Sequence, residues 1–173
     1  MRHVRRGGEY LRVADPDWPD ALDGSHARES GGRWNPPGSF PVVYLCRGVT
    51  VARANVYRLF RGLPYGPEDL DPAYAPVLIT TEVPEASYVD VVTARGCRAS
   101  GLPATYPLDS RGRPISHDRC RPIGESAWRE GEPGIACRSA APQAPARAEE
   151  LAWFQRRRRL RPAHVLAFES WFW

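Results

Sequence analysis

The run Gly31-Gly32-Arg33-Trp34-Asn35-Pro36-Pro37-Gly38 is the most chemically dense stretch of the 173-residue chain. Paired glycines let a backbone approach a ligand closely, Arg33 offers a planar fork of donors that matches a phosphate, and Trp34 offers a face for stacking or core packing. The same residues equally suit a rigid turn leading into the apolar run Val42-Val43-Tyr44-Leu45-Cys46, so the loop by itself leaves a binding and a structural reading open. Other constellations are thinner. His117-Asp118-Arg119-Cys120 has a spacing a metal could use but lacks a second pair of ligands, so no metal is expected there. Ser139 has no evident base beside it, which makes hydrogen bonding its expected work rather than nucleophilic attack. His26, next to Ser25 and Arg28, either contacts a ligand near the glycine loop or is an ordinary exposed loop histidine.

These residues must be positioned by short elements, because apolar alternations are repeatedly broken by proline and glycine clusters. The pattern predicts a strand-rich α/β (α+β) domain with a few helices. Strands are expected at 10–13, 42–46, 77–83 and 88–92, and the alternation over 165–173 predicts a C-terminal strand buried on at least one face. One helix is well marked: Thr50 is a candidate N-cap, and Val49, Ala52, Val56, Leu59 and Phe60 recur at helical spacing before Gly62 and Pro64 end it. Asn55 lies on the edge of that apolar stripe, and Arg53 and Arg58 are expected to face solvent. A second helix is predicted over 123–129, a long loop over 102–122 and a polar, small-residue connector over 143–148. No internal repeat is visible.

A chain that is 42% hydrophobic holds enough apolar mass for one sizeable core, so residues 1–173 read as a single domain. No stretch has the length of a membrane span or the form of a secretory signal, so no membrane partner is expected. The four scattered cysteines fit reduced thiols in a cytoplasm better than a disulfide framework. All 24 Lys-or-Arg positions are arginine, and much of the formal net charge of +4 comes from the run Arg156-Arg157-Arg158-Arg159 with Arg161. That run reads as a solvated face or a surface for an acidic protein partner rather than as a nucleic-acid groove, because no aromatic-interleaved signature accompanies it.

Tyr10-Leu11-Arg12, Leu22-Asp23-Gly24, Gly31-Gly32-Arg33-Trp34-Asn35 and Tyr44-Leu45 together resemble the N-terminal half of RES domains, a family named for an arginine, a glutamate and a serine. Gly124-Glu125-Ser126-Ala127-Trp128 and Gly134-Ile135-Ala136-Cys137-Arg138-Ser139 match the second half more loosely but in the right order. The resemblance is strongest over 10–139, with 140–173 as a strand-containing extension. It implies an ADP-ribosyltransferase-like mixed core around a central cleft for NAD, bound as substrate. It also implies a toxin of a toxin–antitoxin pair that cleaves the nicotinamide–ribose bond by hydrolysis or phosphorolysis. By the same resemblance, Arg12 and Arg33 hold the pyrophosphate, Tyr44 lines the nicotinamide and ribose pocket, and Ser139 takes the serine position. The implied partner is an antitoxin protein, with nucleic acid contacted only indirectly through it.

One position departs from the family pattern. Counting along the helix from Tyr44, the family's glutamate falls at position 55, where this chain has asparagine. Cleaving the glycosidic bond builds positive charge on the ribose, which a carboxylate stabilises and an amide meets only with a dipole and hydrogen bonds. Asn55 therefore implies a feeble enzyme, a different reaction, or a carboxylate supplied from elsewhere. The alternatives are ADP-ribosyl transfer to a protein or small acceptor, and a relative that only binds a nucleotide or a protein. Glu149 and Glu150 are candidates for a replacement carboxylate, although two acidic residues opening a helix are more often dipole partners. If the pocket is otherwise intact, Asn55→Glu is expected to raise the rate of nicotinamide release by restoring a negative charge beside the developing ribosyl cation.

Overall fold

The computed structural model describes residues 1–173. Its six strands are β1 (His3–Ala14), β2 (Val42–Cys46), β3 (Val77–Val91), β4 (Gly134–Arg138), β5 (Glu149–Phe154) and β6 (Pro162–Leu166). The helices are α1 (Ser25–Ser30), α2 (Val49–Leu59), α3 (Ala94–Ala99), α4 (His117–Arg129) and α5 (Phe168–Trp171). The sheet runs β1-β2-β5-β4-β3-β6, and β1 pairs with β3 as well, so the first five strands in that order form a ring of pairings to which β6 is added. All pairs are antiparallel except β3 with β4. No helix is long and apolar enough to cross a membrane.

The two strands expected at 77–83 and 88–92 are one long strand, β3, which β1 follows in register from His3↔Val89 to Ala14↔Val77 with a shift between Arg6 and Gly8. Gly8 takes φ 88°, and a Cβ on Gly7 would stand 2.6 Å from the Glu85 Cα, so this bulge requires the glycine pair. The polar start of β1 is held by charge pairing rather than burial: Arg5 meets Glu85 at 2.9 Å and Arg6 meets Glu149 at 2.8 Å.

Both faces of β2, β4 and β5 are largely buried. Val42 packs with Trp34, Phe40, Tyr106 and Phe154 in one cluster, while Val43 and Leu45 pack with Tyr10, Leu22 and Tyr88 in another. Helix α2 forms where its apolar spacing predicts, but Gly48 occupies the N-cap position and Thr50 lies inside the first turn. Helix α4 begins at His117 instead of near Ile123. Pro122 sits inside it, at the cost of a backbone bond, without acting as a boundary.

The expected C-terminal strand over 165–173 is not there. Strand β6 ends at Leu166 with all of its residues exposed, and the chain then turns through α5. Phe168, Trp171 and Phe172 stand at i, i+3 and i+4, a helical spacing that buries all three against Val51, Ala52 and Val56 of α2. Arg53 is not solvent-facing either: its Nε and Nη2 donate to the Trp171 carbonyl at 3.1 and 2.8 Å. Glu149 and Glu150 open β5, not a helix. Successive strand side chains point to opposite faces, so the two carboxylates part company there.

All four cysteines are buried and free. Burial pushes the Cys46 thiol up to about 12, so it stays protonated and unreactive at neutral pH. Alkylation at pH 8 without reductant is expected to leave the native mass unchanged and to add four adducts after denaturation; adducts on the native protein would contradict the burial. Helix α4 touches the glycine loop so closely that a Cβ on Gly124 would lie 1.6 Å from the Trp34 carbonyl oxygen. Gly124→Ala is therefore expected to cost about 3 kcal/mol or more in denaturant unfolding, at the upper end of overpacking penalties.

Candidate active site

The site is organised by Tyr44 in the middle of β2. Its hydroxyl donates to Asn35 Oδ1 at 2.8 Å and accepts the Trp34 backbone N–H at 2.9 Å. Asn35 is fully buried, and its amide donates in turn to the Ala27 carbonyl at 2.5 Å and the Phe40 carbonyl at 3.3 Å. The ring of Tyr44 occupies the space beside Gly32, where a Cβ would meet the tyrosine oxygen at 2.3 Å. Burial pushes the phenol well above its ordinary value, so it remains a proton donor. From the other side, Arg121 Nε on α4 donates to the Gly32 carbonyl at 3.2 Å, and Arg33 Nη1 donates to the Ile115 carbonyl at 3.0 Å.

Both readings of the glycine loop therefore hold at once. It is a rigid turn, with Trp34 fully buried against Tyr106, and it is a wall of a cavity of about 690 Å³. The other walls come from the end of β1, from β2, from α2 and from His117 at the start of α4. Arg12, Arg33, Tyr44 and Asn55 all line this cavity. Ser139 stands behind the wall, and the Glu150 carboxylate fills the gap between it and the cavity. His26 also reaches the cavity, its ring 5.4 Å from that of Trp18.

The charges are unevenly distributed. Arg12 is only 7% exposed, its Nη1 has no hydrogen-bond partner, and burial lowers its pKa to about 10. It remains a cation at neutral pH, packed 5.4 Å from the Trp18 ring. Arg33 uses Nη1 on the protein and leaves Nε and Nη2 free. Arg58 is exposed, as expected, and also forms part of the cavity wall as a third arginine. Burial, with Arg33, Arg121 and Arg58 nearby, pushes the His117 imidazole below its ordinary value, so a neutral ring lies among these cations.

Glu150 is the inner carboxylate. Its Oε1 accepts Asn55 Nδ2 at 2.9 Å and Ser139 Oγ at 2.7 Å. Glu149, on the opposite face of the strand, is instead held by Arg6 through Nε at 2.8 Å and Nη2 at 3.0 Å. Sequence reasoning did not place Arg58 or His117 at the cavity. Arg58 was detectable in principle, because Asn55, Arg58 and Leu59 are i, i+3 and i+4 on one side of α2. His117 was not, since its helix was read as loop. No group of three or more His, Cys, Asp or Glu side chains stands together as a metal site would need.

The mixed sheet, its helices and the glycine loop thus define an α/β domain around a cavity lined by Arg12, Arg33 and Arg58. The RES domain profile matches residues 9–165, and the chain belongs to that family. It is 34% identical over 112 residues to the NAD(+) phosphorylase MbcT of Mycobacterium tuberculosis and of Mycobacterium bovis, covering 63% of this chain and 55% of the relative. The chain thus spans about half the length of the curated relatives it matches. Its fold is that of the chain in the crystal structure of the M. tuberculosis MbcT–MbcA toxin–antitoxin complex, with a TM-score of 0.76 at 23% identity over 95% of this chain and 85% of that one.

The Tyr44 hydroxyl is committed to the loop, so the side chain offers its ring to the cavity more readily than its oxygen. Tyr44→Phe removes a partner from the buried Asn35 oxygen and the Trp34 N–H together. The expected cost is about 1–3 kcal/mol of unfolding free energy, read by urea titration, with the far-ultraviolet circular dichroism retained.

Proposed function

We propose that residues 1–173 act as one RES-type unit that consumes NAD, breaking the bond between nicotinamide and ribose with orthophosphate as the acceptor. The observation that carries this reading is the buried, unpartnered guanidinium of Arg12 at a cavity shared with Arg33 and Arg58. A desolvated cation without an anion is costly to keep, and a dianionic diphosphate removes that cost with charge-assisted hydrogen bonds. Arg12 and the free edge of Arg33 hold the pyrophosphate, and the Tyr44 ring packs beside the nicotinamide riboside. As the C1′–N bond breaks, its electron pair neutralises the pyridinium nitrogen, and an oxygen of hydrogen phosphate bonds to C1′. Nothing is oxidised or reduced.

The relatives' name, NAD(+) phosphorylase, favours phosphate over water as the acceptor. The toxin–antitoxin complex of the structural relative supports a protein antitoxin as partner. An ADP-ribosyltransferase-like ancestry for the core and a cytoplasmic location belong to the same reading, and the four buried free thiols are in keeping with a reducing compartment.

The test follows free nicotinamide from NAD with purified protein, with and without inorganic phosphate. Phosphate-dependent release with a phosphorylated ADP-ribose product is expected. Release indifferent to phosphate replaces phosphorolysis with hydrolysis, and label retained on protein replaces it with transfer. Bound NAD that stays intact leaves only a binding role. Arg33→Lys is expected to raise the Kd for NAD about tenfold, some 1.4 kcal/mol, because an ammonium cannot reproduce the free edge of the guanidinium. Isothermal titration of NAD into the two proteins measures it.

A further inference from the structure

We infer that Glu150 on β5 is the catalytic carboxylate of this chain, with Asn55 and Ser139 as the residues that position it. The inference rests on the NAD-cleaving reading above and assigns the group that faces the developing ribosyl cation. Two carboxylates line the cavity, Asp15 and Glu150. Asp15 is exposed, and its Oδ1 is turned to the Asp17 backbone N–H at 2.9 Å, so it belongs to the rim. Glu150 stands opposite Cys46 of β2 and is bonded to Asn55 in the inner wall.

The hydrogen bonding at Glu150 separates its two oxygens. Oε1 takes both donors, Asn55 Nδ2 at 2.9 Å and Ser139 Oγ at 2.7 Å, and Oε2 has no protein partner. Both donors are neutral, and no arginine forms an ion pair with this carboxylate, whereas Glu149 is neutralised by Arg6 at 2.8 Å. The negative charge is therefore fixed in direction but not cancelled, as stabilising a cation that exists only in the transition state requires. Its backbone is held on both sides, by Cys46 of β2 and Cys137 of β4, so the carboxylate is carried by a central strand.

Asn55 then has a reason to be an amide. A carboxylate at position 55 would stand about 3 Å from Glu150, the like-charge arrangement in which both groups cannot ionise freely. In the proposed step Glu150 forms no bond. It lies beside C1′ while the electron pair leaves with nicotinamide, and the phosphate oxygen arrives at the same carbon.

The experiment measures phosphate-dependent nicotinamide release, with NAD binding determined separately, for the wild type, Glu150→Gln, Asn55→Glu and the transposed pair Asn55→Glu/Glu150→Gln. Glu149→Gln serves as the neighbouring control and is expected to stay within twofold of the wild type. Glu150→Gln is expected to lower kcat by about a hundredfold or more while the Kd for NAD changes by less than about threefold. Asn55→Glu alone is expected to slow the reaction rather than speed it, and the transposed pair to recover at least about tenfold over Glu150→Gln. A folded Glu150→Gln protein that binds NAD and turns over within about threefold of the wild type overturns the assignment while leaving the function standing. A transposed pair no faster than Glu150→Gln overturns the pairing of positions 55 and 150. A wild type that binds NAD and releases no nicotinamide overturns the function and this inference together. Should Glu150→Gln fail to fold, Ser139→Ala reads the same point: a fall in kcat at unchanged KM supports the assignment, and an unchanged kcat refutes it.

Discussion

The hydroxyl of Tyr44 is the point on which the rest of the molecule turns. It joins a central strand to the glycine loop through Asn35 and Trp34, and Asn35 carries the connection on to α1 through the Ala27 carbonyl. Buried polar groups tolerate this only when each is satisfied, and here donors and acceptors match around a fully buried amide. Helix α4 then presses its Gly124 against the same loop, and Arg121 ties off the Gly32 carbonyl. The loop that carries Arg33 into the cavity is thus immobilised by groups that themselves need never touch a ligand.

With the walls fixed, the electrostatics of the cleft follow from where desolvation falls. Arginine keeps its proton even when buried, so Arg12 retains its charge at a site where a lysine or histidine would tend to lose it. His117 illustrates the contrast, being driven toward the neutral form by partial burial and by Arg33, Arg121 and Arg58. Three arginines and a single inner carboxylate thus line one cavity of about 690 Å³.

Much of the scaffold was legible in the sequence. Strand β2 came from its apolar run and helix α2 from helical spacing ended by Gly62 and Pro64, and the Gly-Gly-Arg-Trp-Asn block pointed to both family and cavity. The misses have physical causes. The start of β1 is polar and is held by ion pairs, which leave no hydrophobic period to read. Pro122 looked like a helix boundary and is an interior residue of α4. At the C-terminus, alternation and helical spacing coexist over the same aromatics, and packing against α2 decided for the helix. Arg12, Arg33, Tyr44 and Asn55, singled out from their motifs, line one cavity. Glu149 and Glu150 were both named as candidate carboxylates, but which of them enters the cavity was not readable, because it depends on the face of a strand, and that segment had been read as opening a helix.

That choice of face makes the spacing of β5 a form of information. Trp153 and Phe154 pack into different cores on its two sides, while Leu151 stands opposite both Leu45 and Ala136. A slip of one residue would exchange those cores and at the same time turn Glu149 into the cleft, leaving Glu150 to meet Arg6. The two bulky aromatics therefore act as a reading frame for the carboxylates that precede them. Added residues in the connector over 143–148 leave that frame intact, whereas a single residue gained or lost inside the strand exchanges which carboxylate faces the cavity without altering either one.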